Sequence, residues 1–263
     1  MTLTRRNFLK LAGLGGAGLV LGLRETARPA PTLRLLAPAR SLSPATFAGF
    51  TAVSGVGVQL FYGTPAIDTR NYDLVVAPVP ELIRLLGRGW VRELGPMDSP
   101  PPLEQRVYDP LNTFSLPAAR GAIGINTRGV IPPASWAEFF ALARTEPVHL
   151  PPAETFRAAL KSLGHSINTR NTFTRADAQS LVSGLQSSPL ERVVLALSHS
   201  LGDGWTFTLP IEGAESWEDC FCIPTGSPHP GLAHTFIQFA LAAQPLAPLP
   251  WGALEPLSPF ASV

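Results

Sequence analysis

Cysteine is nearly absent: Cys220 and Cys222 are the two in 263 residues. Two cysteines one residue apart bond poorly to each other, which excludes a disulfide-held scaffold. His199, His229 and His234 stand at no ligand spacing to them, so the pair reads as buried apolar thiols rather than a metal site. Lysine is as scarce, with Lys10 and Lys161 alone, and no basic run occurs, which excludes nucleic acid as a partner. There is no P-loop, Gly-x-Ser-x-Gly or dinucleotide fingerprint, and no internal repeat. No Ser/His/Asp order, carboxylate pair or metal cluster stands out, so the chain reads as a non-enzyme without a cofactor. The longest apolar run, Leu11 to Leu23, falls short of the roughly 20 residues of a membrane span.

What is there begins at the N-terminus. Arg5-Arg6-Asn7-Phe8-Leu9-Lys10 precedes that Gly-rich apolar run, and a small-residue region follows it. This is the layout of an export signal. The paired arginines with Phe8 and Leu9 resemble the twin-arginine signal, which implies export of folded cargo through the twin-arginine translocase to the periplasm. Residues 26–30 carry no clean Ala-x-Ala site, so an uncleaved membrane anchor stays open beside a cleaved signal over 1–28. The formal charge of the chain is +1. Without residues 1–28, which hold Arg5, Arg6, Lys10, Arg24 and Arg28 against Glu25, the rest carries net −3. With 45% hydrophobic residues the remainder suffices for one large domain or two small lobes, and 28 prolines demand many loops.

Along the chain, apolar patterning predicts strands at Leu33–Leu36, Val56–Tyr62, Tyr72–Val76, Ala122–Asn126, Val148–Leu150, Val193–Leu197 and Phe207–Pro210. Helices are predicted at Ala45–Ser54, Pro80–Arg88, Ser135–Ala143, Glu154–Leu163, Thr174 to about Gln186, and Gly231–Ala243. Ser135-Trp136-Ala137-Glu138 is a capping box. Phe114–Pro117 reads as a crossing segment, and the tail from Gln244 as irregular. The alternation predicts an α/β fold with parallel strands.

One stretch carries chemistry. In Ser216–Pro224, Trp217 and Asp219 are two apart on an extended segment and point the same way. An indole face and a carboxylate together hold an organic cation. The alternative is a Trp packed at a strand end beside a solvated Asp.

Four blocks, in this order, resemble the periplasmic solute-binding proteins of bacterial ABC transporters, in particular the spermidine/putrescine-binding branch. They are Tyr72–Val76 with Gly89-Trp90-Val91; Tyr108-Asp109-Pro110 with Phe114–Pro117 and Ala122–Asn126; Ser135–Glu138 with Glu154–Gly164; and Trp217-Glu218-Asp219 with Ile223-Pro224. The resemblance implies a two-lobe α/β fold of type II, with ligand trapped in the cleft between lobes. Lobe 1 would be 32–117 with 215–263, and lobe 2 would be 118–214. It implies a small amine or polyamine solute and a permease partner. It gives Trp217 the role of a box aromatic, Asp219 that of the acid taking an amine, and Glu154 that of a second cleft acid.

The chain departs from the family pattern where Ala37–Ser41 and Ala77–Pro80 lack aromatics, where Pro151 replaces an Asp, and where Ser198-His199-Ser200 replaces a Trp. Arg40, if it enters the cleft, would favour an anion or zwitterion. The eroded box leaves a second reading, a ligand-free structural or partner-binding periplasmic protein.

Overall fold

The computed structural model describes residues 31–38, 41–63, 69, 71–95, 109, 112–243, 254–256 and 258. The export residues Arg5, Arg6, Phe8 and Leu9, and Arg40, lie outside these.

Three apolar strands start the first sheet: β1 (Thr32–Ala37), β2 (Gly57–Tyr62) and β3 (Leu74–Pro78). β1 lies between the other two and runs parallel to both. Parallel neighbours need crossover helices. The first is α1 (Pro44–Ser54), started by Ser43, whose hydroxyl accepts from Thr46 N, and stopped by Gly55 at φ 71°. α2 (Val79–Gly87) follows β3 directly.

The next strand, β4 (Ser115–Ala122), is longer than the crossing segment predicted at 114–117. Its start is fixed by buried Asp109, whose carboxylate accepts from Thr113 N at 2.8 Å, Phe114 N at 3.0 Å and Ser115 N at 2.9 Å. β4 pairs antiparallel with β9 (Ala214–Cys222), with a bulge between Pro117 and Ala119. β9 also runs antiparallel to β3. The expectation of parallel strands therefore holds for β1–β3 and fails for β9, because β9 returns from the second sheet rather than from a crossover helix, and it fails again in that second sheet, where Gly124–Thr127 runs antiparallel to both of its neighbours.

At Ile123 the chain changes sheets. Its N–H donates to Glu215 O at 2.8 Å, and β5 (Gly124–Thr127) continues into the second sheet. That sheet has the order β6 (Val148–His149), β7 (Leu195–Ser198), β5, β8 (Thr206–Thr208). Three helices cover it: α3 (Trp136–Leu142), α4 (Pro152–Ser162) and α5 (Thr172–Val182). The cap at Ser135 forms, with Glu138 N donating to Ser135 Oγ at 3.1 Å, while the Glu138 carboxylate reaches one residue further back than in a capping box and accepts from Ala134 N at 2.7 Å. α5 starts two residues earlier than the expected Thr174, because Asn171 Oδ1 accepts from both Phe173 N and Thr174 N.

Each sheet has its own core. On one face of the first sheet, α1 and α6 (Pro230–Ala243) bring Phe50 and Phe236 together with ring centroids 5.0 Å apart. On its other face α2 packs Leu82 and Leu85 against Val75, Cys220 and Cys222. The second core gathers Trp136, Phe139, Leu160, Leu195 and Ile125. Val53 and Leu163 fall at the same helical spacing as the buried Phe50 and Leu160 but, lying at the ends of their helices, are 49% and 40% exposed. The tail is not wholly irregular: β10 (Leu254–Pro256) pairs parallel with the start of β9. Among the described residues no helix is long and apolar enough to cross a membrane.

Candidate functional site

Strand alternation decides what β9 shows to each side. Glu218, Cys220 and Cys222 share one face, and both cysteines lie in the core under α2. Burial pushes the Cys222 thiol up to about 12, so at neutral pH it is an inert, uncharged apolar group. Among the described residues no group of His, Cys, Asp and Glu is placed to hold a metal.

The opposite face carries Trp217, Asp219 and Phe221. Phe221 sinks into the first core, whereas Trp217 packs against the edge of the second. The strand thus hands its side chains from one core to the other over four residues. Trp217 pairs across the sheet with Gly121 of β4. A Cβ built on Gly121 would lie 2.7 Å from Trp217 Cζ2, so the indole lies over bare backbone that only glycine provides. Gly124 repeats the arrangement, with the Phe207 ring 2.8 Å from its virtual Cβ. Two glycines, each under an aromatic ring, therefore bracket the point where the chain changes sheets.

Asp219 is fully buried, and its Oδ2 accepts from the Ser41 hydroxyl at 2.9 Å. Ser41 sits on the segment after β1, so this bond ties the first crossover to the crossing strand. A buried carboxylate needs such donors, since leaving it without them costs several kcal/mol, about 3–5 for a broken buried pair.

The ring of His199 faces Trp217 edge-on, with centroids 6.5 Å apart and planes at 78°. Its loop is held by Asn126, a buried residue of β5. Asn126 Nδ2 donates to His199 O at 3.0 Å, and Asn126 Oδ1 accepts from Leu201 N at 3.1 Å. Sequence reasoning missed both roles. The signal for Asn126 was a carboxamide in an otherwise apolar strand; the signal for His199 was its place immediately after β7.

Glu154 stands in the first turn of α4. Its oxygen lies 3.6 Å from Arg157, and Arg157 Nε donates to Glu215 at 2.6 Å. Glu154, Arg157 and Glu215 line a shallow depression with Ile123, Trp136, Ala158 and Lys161. The structure thus couples Glu154 to an ion chain on α4 and β9, while Trp217 meets His199 and Asp219 meets Ser41.

Two α/β bodies, each with its own sheet and core, joined by crossing strands, define the two-lobe periplasmic binding protein fold of type II, with its cleft between the lobes. Solved structures with this fold include the spermidine/putrescine ABC transporter substrate-binding protein of Streptococcus pneumoniae, in complex with calcium and HEPES. It matches with a TM-score of 0.61 and 18% identity over 81% of this chain and 78% of that one. The TpPotD lipoprotein of Treponema pallidum matches with a TM-score of 0.65 and 22% identity over 80% of each chain. A periplasmic binding protein of A. tumefaciens R10, in complex with agropinic acid, matches with a TM-score of 0.63 and 16% identity over 81% of this chain and 78% of that one. At these identities the likeness is one of fold. No family model and no curated protein matches the sequence.

Proposed function

We propose that the chain is the periplasmic substrate-binding component of an ABC transporter, exported by its twin-arginine segment, and that it takes a small amine-bearing cation between its lobes. The lobes would be 32–117 with 215–263, and 118–214, with Leu254 of the tail reaching over to pack against the second core. The observation that carries this reading is the shared face of Trp217 and Asp219 on β9, beside the change of sheets. The indole supplies a cation-attracting face and the carboxylate a counter-charge. His199 adds a second ring beside Trp217. Ser41 then acts as the hydroxyl that holds Asp219 until an ammonium replaces or joins it. Glu154 enters as a second acid on the α4 side, with Arg157 competing for it. Its share of the binding is therefore smaller than that of Asp219.

The test is a thermal-shift panel of spermidine, putrescine, other amines, amino acids and small anions. Amines are expected to stabilise the protein by about 2–4 kcal/mol at saturation. Asp219→Asn, which keeps the shape and removes the charge, is expected to abolish that shift, and Glu154→Gln to reduce it. A shift with anions alone would overturn the cation assignment. The absence of any shift would favour a ligand-free structural or partner-binding protein, a reading supported by the way Ser41 already satisfies Asp219.

A further inference from the structure

We propose that the outer edge of β2 pairs antiparallel with the same strand of a second copy of this chain, joining two first sheets about a twofold axis. A sheet edge presents unpaired N–H and C=O groups, and proteins ordinarily guard such edges with short strands, charges, prolines or bulges. Among the described residues, the other strands with an open edge are guarded. β10 has three residues, among them Glu255 and Pro256. β6 has two residues and β8 three. β4, which pairs with β9, carries Pro117, Arg120 and a bulge. β2 has none of these devices. It runs six residues in unbroken register with β1, and among the described residues β1 is its one strand neighbour. No residue of β2 is buried, whereas β1 and β3 are mostly buried. From Gly55 to Gly63 the chain holds no charge and no proline.

The occupant follows from the symmetry of the edge. Gly63 N donates to Ala37 O at 3.1 Å, so residue 63 turns its amide toward β1. Amides alternate in direction along a strand, and those of Val58, Leu60 and Tyr62 therefore point outward. A twofold axis at Leu60 sets Leu60 opposite Leu60, Val58 opposite Tyr62 and Gln59 opposite Phe61. This register brings all three outward residues of each copy into hydrogen-bonded pairs, and moving the axis to Gln59 or Phe61 leaves Tyr62 or Val58 outside the paired strands. Val58 and Leu60 pack against the first core, so the Val58–Tyr62 pair lies on the side of the sheet that α1 covers. It covers the Tyr62 ring, which is 68% exposed in the single chain. A twofold axis sets every group near its own kind, so a charged edge would repel itself. The uncharged run from Gly55 to Gly63 meets that condition, and this selects a second copy over a strand from another protein. The contact is small, so the dimer is weak and depends on concentration. It needs no solute.

Sedimentation velocity on the full chain, over a wide range of concentration, tests the pairing. The wild type is expected to pass from monomer to dimer, while peptides covering 57–63 exchange their amides with deuterium more slowly as the dimer forms. Gln59→Lys changes an exposed residue and sets two ammonium groups diagonally across the axis; it is expected to raise the dimer dissociation constant about fivefold. Tyr62→Pro removes an outward N–H from each copy and leaves the bonds to β1 in place; it is expected to raise that constant about tenfold. Gln59→Lys alone decides the matter if Tyr62→Pro does not fold. A wild type that stays monomeric at every concentration would overturn the proposal. A dimer that forms equally well in the variants would place the contact elsewhere and overturn it too. So would protection at 57–63 that does not rise with concentration, because the chain's own residues would then cover the edge.

Discussion

At the scale of single residues, glycine and cysteine do the most with the least. Gly121 exists to let Trp217 lie on the backbone. A branched side chain there meets the indole at under 3 Å, where no real Cβ contact occurs, so the ring must leave. Gly121→Val is expected to cost about 1–3 kcal/mol through this overpacking and to shift tryptophan emission, as followed by urea unfolding and fluorescence. An unchanged spectrum would separate Trp217 from Gly121. Cys222 makes a prediction of opposite kind. Burial raises its folded pKa to about 12, above the ~8.5 of a free thiol. The sign follows: its contribution is whole below pH ~8.5 and is lost as pH rises toward 12, because only the unfolded chain ionises easily. Cys222→Ala should flatten the alkaline decline in stability, and the native wild-type thiol should resist iodoacetamide at pH 8. Rapid native labelling of Cys222 would contradict its burial.

At the scale of elements, strand ends and caps place the site. Asp109 gathers the amides that start β4, and Asn126 holds the loop of His199. β10 is a three-residue strand with no helix of its own, so its position depends on Glu255. Partial burial would raise the Glu255 pKa, but hydrogen bonds from Ser166 and Ile167, with the bond and charge of Lys161, outweigh it and hold the carboxyl below its usual value. A depressed carboxylate contributes stability that is present above the unfolded value of ~4.3 and is lost as pH falls through the folded one. The stability gap between wild type and Glu255→Gln, measured by urea midpoints, is therefore expected to be widest above pH 5 and to close on acidification. A gap independent of pH would mean that the charge of Glu255 contributes nothing.

At the scale of the whole molecule, two cores and two sheets share one pair of crossing strands. The α/β class, most helices and the first three strands were legible because apolar spacing reports them directly: Phe47 and Phe50 on α1, and Leu232, Phe236 and Phe239 on α6. The common face of Trp217 and Asp219 was legible for the same reason, since a period of two survives in any strand. A saturating amine, if it closes the lobes about Trp217, is expected to reduce the radius of gyration in solution scattering. No contraction with a ligand that does raise the melting temperature would place that ligand outside the interlobe cleft.

The sequence by itself determined the alternating elements, the cap at Ser135, the buried thiols and the facing pair on β9, because each depends on neighbours within a few residues. Only the tertiary structure decided that β9 runs antiparallel to β3, that Ser41 meets Asp219 across 178 positions, that Glu154 is drawn to Arg157, and that a three-residue tail strand pairs with β9. These depend on which strand edges and charges the fold brings together from distant parts of the chain. Local periodicity carries no record of that pairing.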